Sequence, residues 1–293
     1  MTASRLIPGA ALLLAVIAAV IRSGSAITAG HWAYLAWVVV VGLLGLLLVI
    51  WAFRGSPRAG GVRAVLRWSA AAAGVGLAAV TLWLAPYPAD PIPPAAATSS
   101  TGILLEPDSA GTTGIAFLPG ALVDPRAYQS IFAPVVEAGY PVYIAKPPFG
   151  IAFTVPDVVA AASRADPQVQ QWVVAGHSLG GAVASGQTGG AAGLILLGAY
   201  PVGDVSDTEV PVLSVSGSED GLSTPADIQA NASKLPPDTR YVVVDGGTHA
   251  FFGDYGEQRG DGQPGVPREV AQAQIQQAMI EFLKSIPAPS GMP

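Results

Sequence analysis

Gly176, Ser178 and Gly180 fall in the spacing Gly-x-Ser-x-Gly inside the stretch Gln171-Trp172-Val173-Val174-Ala175-Gly176-His177-Ser178-Leu179-Gly180-Gly181. A β-branched run leads into the first glycine, and a glycine pair opens the next element. The pattern reads as strand, sharp turn and helix, with the serine at the apex. A serine hydroxyl attacks a carbonyl well only if it stands clear of the sheet on a tightly bent backbone. Side chains two positions away on either side would collide in that bend, and glycine removes the collision. Such a serine also needs a general base, and a carboxylate to orient that base. The chain has three histidines. His31 falls in an apolar segment and His177 occupies the variable position of the elbow, which leaves His249, on the turn Gly246-Gly247-Thr248 after the strand-like residues 240–245. Residues 211–217 read as a buried strand, and Ser218-Glu219-Asp220-Gly221 follows its C-terminal end. Asp220 stands where an orienting carboxylate belongs, with Glu219 as its rival. The candidate triad is Ser178, Asp220 and His249, in that chain order.

The elements that must position these groups alternate between strand and helix. Strands are expected at 103–106, 114–118, 140–145 and 194–197, and helices at 125–138, 156–164, 225–234 and 266–286. Asp124 is placed to cap the first of these helices, with Pro125 at its first position. This alternation predicts an α/β domain with a mostly parallel sheet covered by helices on both faces. Neither repeats nor coiled-coil heptads are found.

Residues 102–286 resemble the α/β-hydrolase fold in its small, dienelactone-hydrolase-like branch. The resemblance rests on Phe117-Leu118-Pro119-Gly120-Ala121-Leu122-Val123-Asp124, on Gly176-His177-Ser178-Leu179-Gly180-Gly181, on Gly217-Ser218-Glu219-Asp220-Gly221 and on Gly246-Gly247-Thr248-His249. Gly253-Asp254-Tyr255-Gly256-Glu257-Gln258-Arg259-Gly260-Asp261-Gly262 is similar to one subgroup of bacterial hydrolases of that branch. Dienelactone hydrolases use a cysteine nucleophile, whereas here Ser178 holds that place and the chain has no cysteine. The resemblance therefore implies ordinary ester chemistry: attack by Ser178, proton transfer through His249, orientation by Asp220 and an acyl-enzyme. It also implies an oxyanion hole made by the backbone N–H of Leu179 and a second donor from the loop after an early strand. Ala121 is the expected second donor and Leu122 the alternative. A carboxylesterase for short-chain esters is the expected activity. A non-catalytic binding module of the same fold, and an acyltransferase or lipase with the same triad, are the other readings. No cofactor is implied. Asp254 and Asp261 have spacing similar to a calcium loop but lack its clustered ligands, so a loop beside His249, and no metal, is expected. Lys146 is expected to border the pocket without a catalytic part.

Charge divides the chain. All 20 acidic residues lie beyond residue 89, while residues 1–89 carry Arg5, Arg22, Arg54, Arg58, Arg63 and Arg67. Opposite charge in two halves implies two surroundings. The acidic half lacks the basic footprint of a nucleic-acid binder, and the absence of cysteine excludes disulfides and thiolate metal sites. Residues 32–53 contain no charge and are long enough for the ~30 Å hydrocarbon core of a bilayer. Residues 68–85 are just long enough, and 6–21 form the weakest span, with a cleaved signal peptide as its alternative. Trp32, Trp37, Trp51, Trp68 and Trp83 fall at or near the ends of the two longer spans, as in an interfacial belt. The arginine-rich loop between those spans predicts a cytoplasmic loop and places residue 86 onward outside the cytoplasm. Ala70, Gly74 and Ala78 form a small-residue face suited to packing within the chain. The expected order is thus a transmembrane region at 1–85, a Pro-rich spacer at 86–101, the catalytic domain at 102–286 and a disordered tail at 287–293. Only residues 199–210 separate two strands where this fold commonly carries a cap, too few for a helical one. The Gly-rich stretch 250–265 is the expected mobile cover, with Phe251, Phe252 and Tyr255 as apolar wall.

Overall fold

The computed structural model describes residues 3–54, 61–93, 96–109 and 111–289. Two compact units divide at residue 86. The first consists of α1 (Ala3–Ala29), α2 (Trp32–Phe53) and α3 (Val62–Trp83). Each is long and apolar enough to cross a membrane, with mean hydropathies of 2.2, 2.7 and 1.5. α1 extends past the expected end at 21, with a break in its helical backbone at Ser23. There the Ser23 hydroxyl donates to the carbonyl of Pro86 at 2.6 Å. α3 starts at Val62 rather than 68, because Arg63 and Arg67 are good helix formers that a hydropathy window leaves out. Arg58, counted in the arginine-rich loop, lies outside the described residues.

Small residues let these helices touch. A Cβ added at Gly74 of α3 would stand 2.5 Å from the Cβ of Pro8 in α1. The packed face of α3 is Ala71, Gly74, Ala78 and Thr81. Ala70, expected on that face, is exposed, and the neighbouring Ala71 takes its place. Arg5 places its guanidinium 3.9 Å above the Trp51 ring and donates to the Arg54 carbonyl at 3.2 Å. The start of α1 and the end of α2 therefore share one end of the bundle.

The second unit is built on an eight-stranded sheet: β1 (Ala97–Thr98), β2 (Gly102–Leu105), β3 (Thr113–Leu118), β4 (Val142–Ala145), β5 (Gln171–His177), β6 (Gly193–Leu197), β7 (Val212–Gly217) and β8 (Arg240–Val244). Their order is β1-β2-β4-β3-β5-β6-β7-β8. β1 and β2 pair antiparallel, as do β2 and β4, and the remaining pairs are parallel. Among the described residues the unit's α-helices are α4 (Gln129–Glu137), α5 (Val158–Ala165), α6 (Leu179–Ala184), α7 (Pro225–Ala230) and α8 (Arg268–Ser285). Alternation along the strands feeds two cores. Ile115 and Phe117 of β3 pack with Ile131, Phe132, Met279 and Phe282 from α4 and α8. Ala116 and Leu118 pack on the other face with Trp172, Val158, Ala162 and Val183. This is the α/β-hydrolase fold.

Helix ends differ from expectation where short caps intervene. Residues 125–128 form a 3₁₀ turn ahead of α4, with Asp124 accepting from the N–H of Arg126. Asp157 caps α5 by accepting from Ala160 N–H at 2.8 Å, so that helix begins two residues after Pro156. The Pro-rich stretch expected as a spacer is bonded to the domain over part of its length. Tyr87 N–H donates to Leu122 O, Asp124 N–H to Tyr87 O and Asp90 N–H to Asp254 O, at 2.7, 2.9 and 2.8 Å. An extended proline-rich backbone has no internal hydrogen bonds, so its free N–H and C=O groups are available to neighbouring loops. Residues 290–293 of the expected tail lie outside the described residues.

Candidate active site

Ser178 follows the C-terminal end of β5, and the loops after the parallel strands β3, β7 and β8 carry the other candidate residues. The serine has φ 53° and ψ −124° between β5 and α6, a left-handed backbone that costs a non-glycine residue on the order of 1–3 kcal/mol. A Cβ at Gly176 would stand 2.3 Å from the carbonyl carbon of Gly180, and one at Gly180 would stand 2.0 Å from Leu118 O. Both glycines are thus obligatory, and the second contact presses the elbow against the loop after β3.

His249 follows β8 and Asp220 follows β7, both buried. Asp220 Oδ2 lies 2.8 Å from His249 Nδ1. Asp220 Oδ1 accepts from the N–H groups of Leu222 and Ser223 at 2.8 and 2.7 Å, fixing the carboxylate. Glu219 is exposed, and its side chain accepts from the hydroxyl of its neighbour Ser218. The two carboxylates that compete in the sequence are separated by burial and by contact with the imidazole. Among the described residues the Ser178 hydroxyl has no hydrogen-bond partner. Catalytic hydrogen bonds in ligand-free enzymes are commonly long and tighten on binding.

The loop after β3 distinguishes its two candidate donors. Leu122 N–H donates to Gly150 O at 3.0 Å, and Leu122 itself has φ 60°. Ala121 N–H has no partner among the described residues, nor does Leu179 N–H at the start of α6. These two amides remain free to receive an oxyanion.

Three further residues shape the site through contacts that the sequence does not assign to them. His177 fills the variable position of the elbow, yet it is fully buried with Nδ1 2.9 Å from the Tyr128 hydroxyl. That hydroxyl also accepts the N–H of Gly120 at 2.9 Å. Burial pushes the Tyr128 phenol well up and keeps it protonated. Burial, with His249 beside it, holds His177 well below the usual histidine range. The His177 ring lies 4.6 Å from the His249 ring and 5.5 Å from that of Phe252, centre to centre. The third residue is Asp261, whose carboxylate accepts from four backbone N–H groups. Local spacing does not mark such residues, since their contacts join loops far apart in the chain.

The aromatic residues expected to line the cover are core instead. Phe251, Phe252 and Tyr255 are buried, and Tyr255 packs edge-on against Tyr87 at 6.0 Å. Their loop is bonded to α4 and α8, since Asp254 accepts from Gln272 at 2.9 Å and from Ser130 and Arg268. Lys146 is buried and bonds the hairpin turn through Thr98 Oγ1 and Ser99 O, and burial lowers its amine below the usual lysine range. Among the described residues no three His, Asp or Glu are grouped to hold a metal ion.

Residues 114–273 match the model of the Alpha/beta hydrolase family. No curated protein matches the chain in sequence. Among solved structures, a lid-less α/β serine hydrolase from Xanthomonas campestris is 15% identical, with a TM-score of 0.48, covering 68% of this chain and 99% of that one. An esterase from Thermogutta terrifontis is 15% identical, with a TM-score of 0.46 over 65% and 96% of the two chains. An α/β serine hydrolase homologue from Coxiella burnetii is 14% identical, with a TM-score of 0.45 over 62% and 90%.

Proposed function

The chain belongs to the α/β-hydrolase family, and from that premise we propose that it is a membrane-anchored serine hydrolase of carboxylic esters. The observation that carries this reading is the buried 2.8 Å contact between Asp220 and His249, each at a strand end, with the His249 ring 4.6 Å from that of His177, the residue before Ser178 on its strained elbow. In this mechanism Ser178 Oγ attacks the ester carbonyl and its proton passes to His249 Nε2. Asp220 accepts the Nδ1 proton of His249 in a hydrogen bond and stabilises the imidazolium. The N–H groups of Leu179 and Ala121 receive the oxyanion of the tetrahedral intermediate. The alcohol departs with the proton from His249, leaving an acyl-serine. A water activated by the same imidazole then attacks the acyl carbon and releases the acid. None of these steps calls for a cofactor.

The anchor in this reading is α1 to α3, and the catalytic domain faces away from the cytoplasm. Arg5 and Arg54 meet at one end of the bundle, with Arg63 and Arg67 in the first turns of α3 close behind in sequence. The chain leaves α3 at the opposite end, where Ser23 bonds Pro86. Arg22 lies at that end, against the four. The positive-inside rule favours the richer end as cytoplasmic.

The direct test is covalent labelling by a fluorophosphonate probe. The expected adduct is at Ser178, absent in Ser178→Ala and much reduced in His249→Ala. Full ester turnover by Ser178→Ala would end the serine-hydrolase reading.

A further inference from the structure

The turn carrying His249 and the turn carrying Asp220 come from different strands, yet each must stay where the other needs it. Among the described residues, Asp261 bonds to both turns. Its Oδ1 accepts from the N–H groups of Gly221, His249 and Gly262 at 3.1, 3.0 and 2.8 Å. Its Oδ2 accepts from Ala250 N–H at 2.8 Å. Four donors match the roughly four lone-pair sites of an ionised carboxylate. Two belong to the histidine turn and one to the residue directly after Asp220. The loop that delivers the carboxylate lies flat on the acid turn. A Cβ at Gly262 would stand 1.8 Å from Glu219 O, and one at Gly221 would stand 2.6 Å from Gly262 N.

Resting on the reading of Ser178, His249 and Asp220 as the triad, we propose that Asp261 is a positioning residue. Its carboxylate clamps the base turn to the acid turn and holds the Asp220–His249 hydrogen bond in geometry during proton transfer. Hydrogen bonds to an ionised acceptor are about twice as strong as neutral ones, which suits a clamp between two loops. Asp261 is not what attaches its loop to the body of the domain. That task falls to Asp254, which bonds Gln272 and Arg268 of α8 and Ser130 of α4. The two aspartates of one loop therefore have separable effects: Asp254 on stability, Asp261 on turnover.

The test uses the full-length protein in detergent with p-nitrophenyl acetate as probe. It measures kcat, KM, the rate of fluorophosphonate labelling and, by near-UV circular dichroism, the folded fraction. A misplacement of about 1 Å can cost on the order of 100-fold in rate. Asp261→Ala is accordingly expected to lose on the order of 100-fold in kcat and in labelling rate, with KM within about twofold. Asp261→Asn keeps an acceptor for the Oδ1 bonds but turns an amide donor toward Ala250 N–H, so its kcat per folded molecule falls between wild type and Asp261→Ala. Asp254→Asn lowers the unfolding midpoint and leaves kcat per folded molecule within about twofold. Wild-type kcat in folded Asp261→Ala overturns the proposal, as does an equal loss of kcat in Asp254→Asn. If Asp261→Ala does not fold, Asp261→Asn decides, an unchanged kcat per folded molecule being the overturning result. Ser178→Ala separates this proposal from its premise. If it keeps full turnover the triad reading fails; if it is inactive while folded Asp261→Ala is unaffected, only the clamp fails.

Discussion

The hydroxyl of Tyr128 lies 2.9 Å from Nδ1 of His177 and joins the loop after β3 to the residue before the candidate nucleophile. Because the same hydroxyl takes the N–H of Gly120, it sets the orientation of the peptide chain one residue ahead of Ala121. Tyr128→Phe would leave the Gly120 N–H and the His177 Nδ1 both buried without partners. Each such loss costs about 1–3 kcal/mol. Urea unfolding should show a destabilisation of that order, and kcat on a soluble ester should fall by at least about tenfold if the Ala121 amide turns with Gly120. A variant with unchanged kcat would separate Tyr128 from the oxyanion site.

His177 links stability to pH. Its folded value is depressed by burial and by His249, whereas the unfolded chain protonates at about 6.5. Between those two values the unfolded state binds the extra proton, so stability rises with pH there. The contribution is fully present above about 6.5 and is lost progressively as pH falls toward the folded value. Urea midpoints compared at pH 7.5 and 5.5 should differ, and the difference should shrink in His177→Gln. An equal acid loss in that variant would assign it to other groups.

Asp220 and Glu219 are adjacent in sequence and differ in surroundings: Asp220 is buried against His249, and Glu219 is exposed. Asp220→Asn is expected to lower kcat by several orders of magnitude, since the analogous change in a serine-protease triad costs ~10⁴. Glu219→Gln, whose side chain is away from the imidazole, should leave kcat near wild type. The reverse result would transfer the acid's role to Glu219.

Protease added to intact cells or spheroplasts should release the domain from the membrane fraction, because the proposed topology puts everything after α3 outside the cytoplasm. Part of the stretch 86–101 is bonded to loops of the domain, so cutting is expected at an exposed residue between those bonds, such as Ile92. Protection until the cells are lysed would invert the topology.

Acyl-chain preference depends on the cover over the site. No helix lies between β6, ending at Leu197, and β7, beginning at Val212. The aromatic residues after His249 are committed to the core. With little apolar wall, each added CH₂ gains well under its full burial value of ~0.8 kcal/mol. Activity on p-nitrophenyl esters should peak at roughly two to six acyl carbons. A maximum at twelve or more would indicate a deep acyl channel and a lipase.

What the sequence determined by itself was local in origin. Alternating runs such as Ile115-Ala116-Phe117-Leu118 announce a strand with two buried faces, because side chains on a strand alternate with period two. Gly-x-Ser-x-Gly announces the elbow, because glycine alone tolerates backbone contacts as close as those at Gly176 and Gly180. The apolar character of α1 to α3 was legible for the same reason, although α1 runs to Ala29 and α3 begins at Val62. The order of Ser178, Asp220 and His249 identified candidates, but only the folded chain brings Asp220 Oδ2 within 2.8 Å of His249 Nδ1 and leaves Glu219 bonded to Ser218 instead. Tertiary structure also distinguishes the amides of Ala121 and Leu122, since Leu122 N–H is bonded to Gly150 on another loop. It placed Phe251, Phe252 and Tyr255 in the core, and it bonded Asp261 to two turns from different strands. Contacts of this kind depend on which loops the sheet order 4-3-5-6-7-8 sets side by side. A one-dimensional pattern reports periodicity and order, and those loop-to-loop distances exist only once the strands have paired.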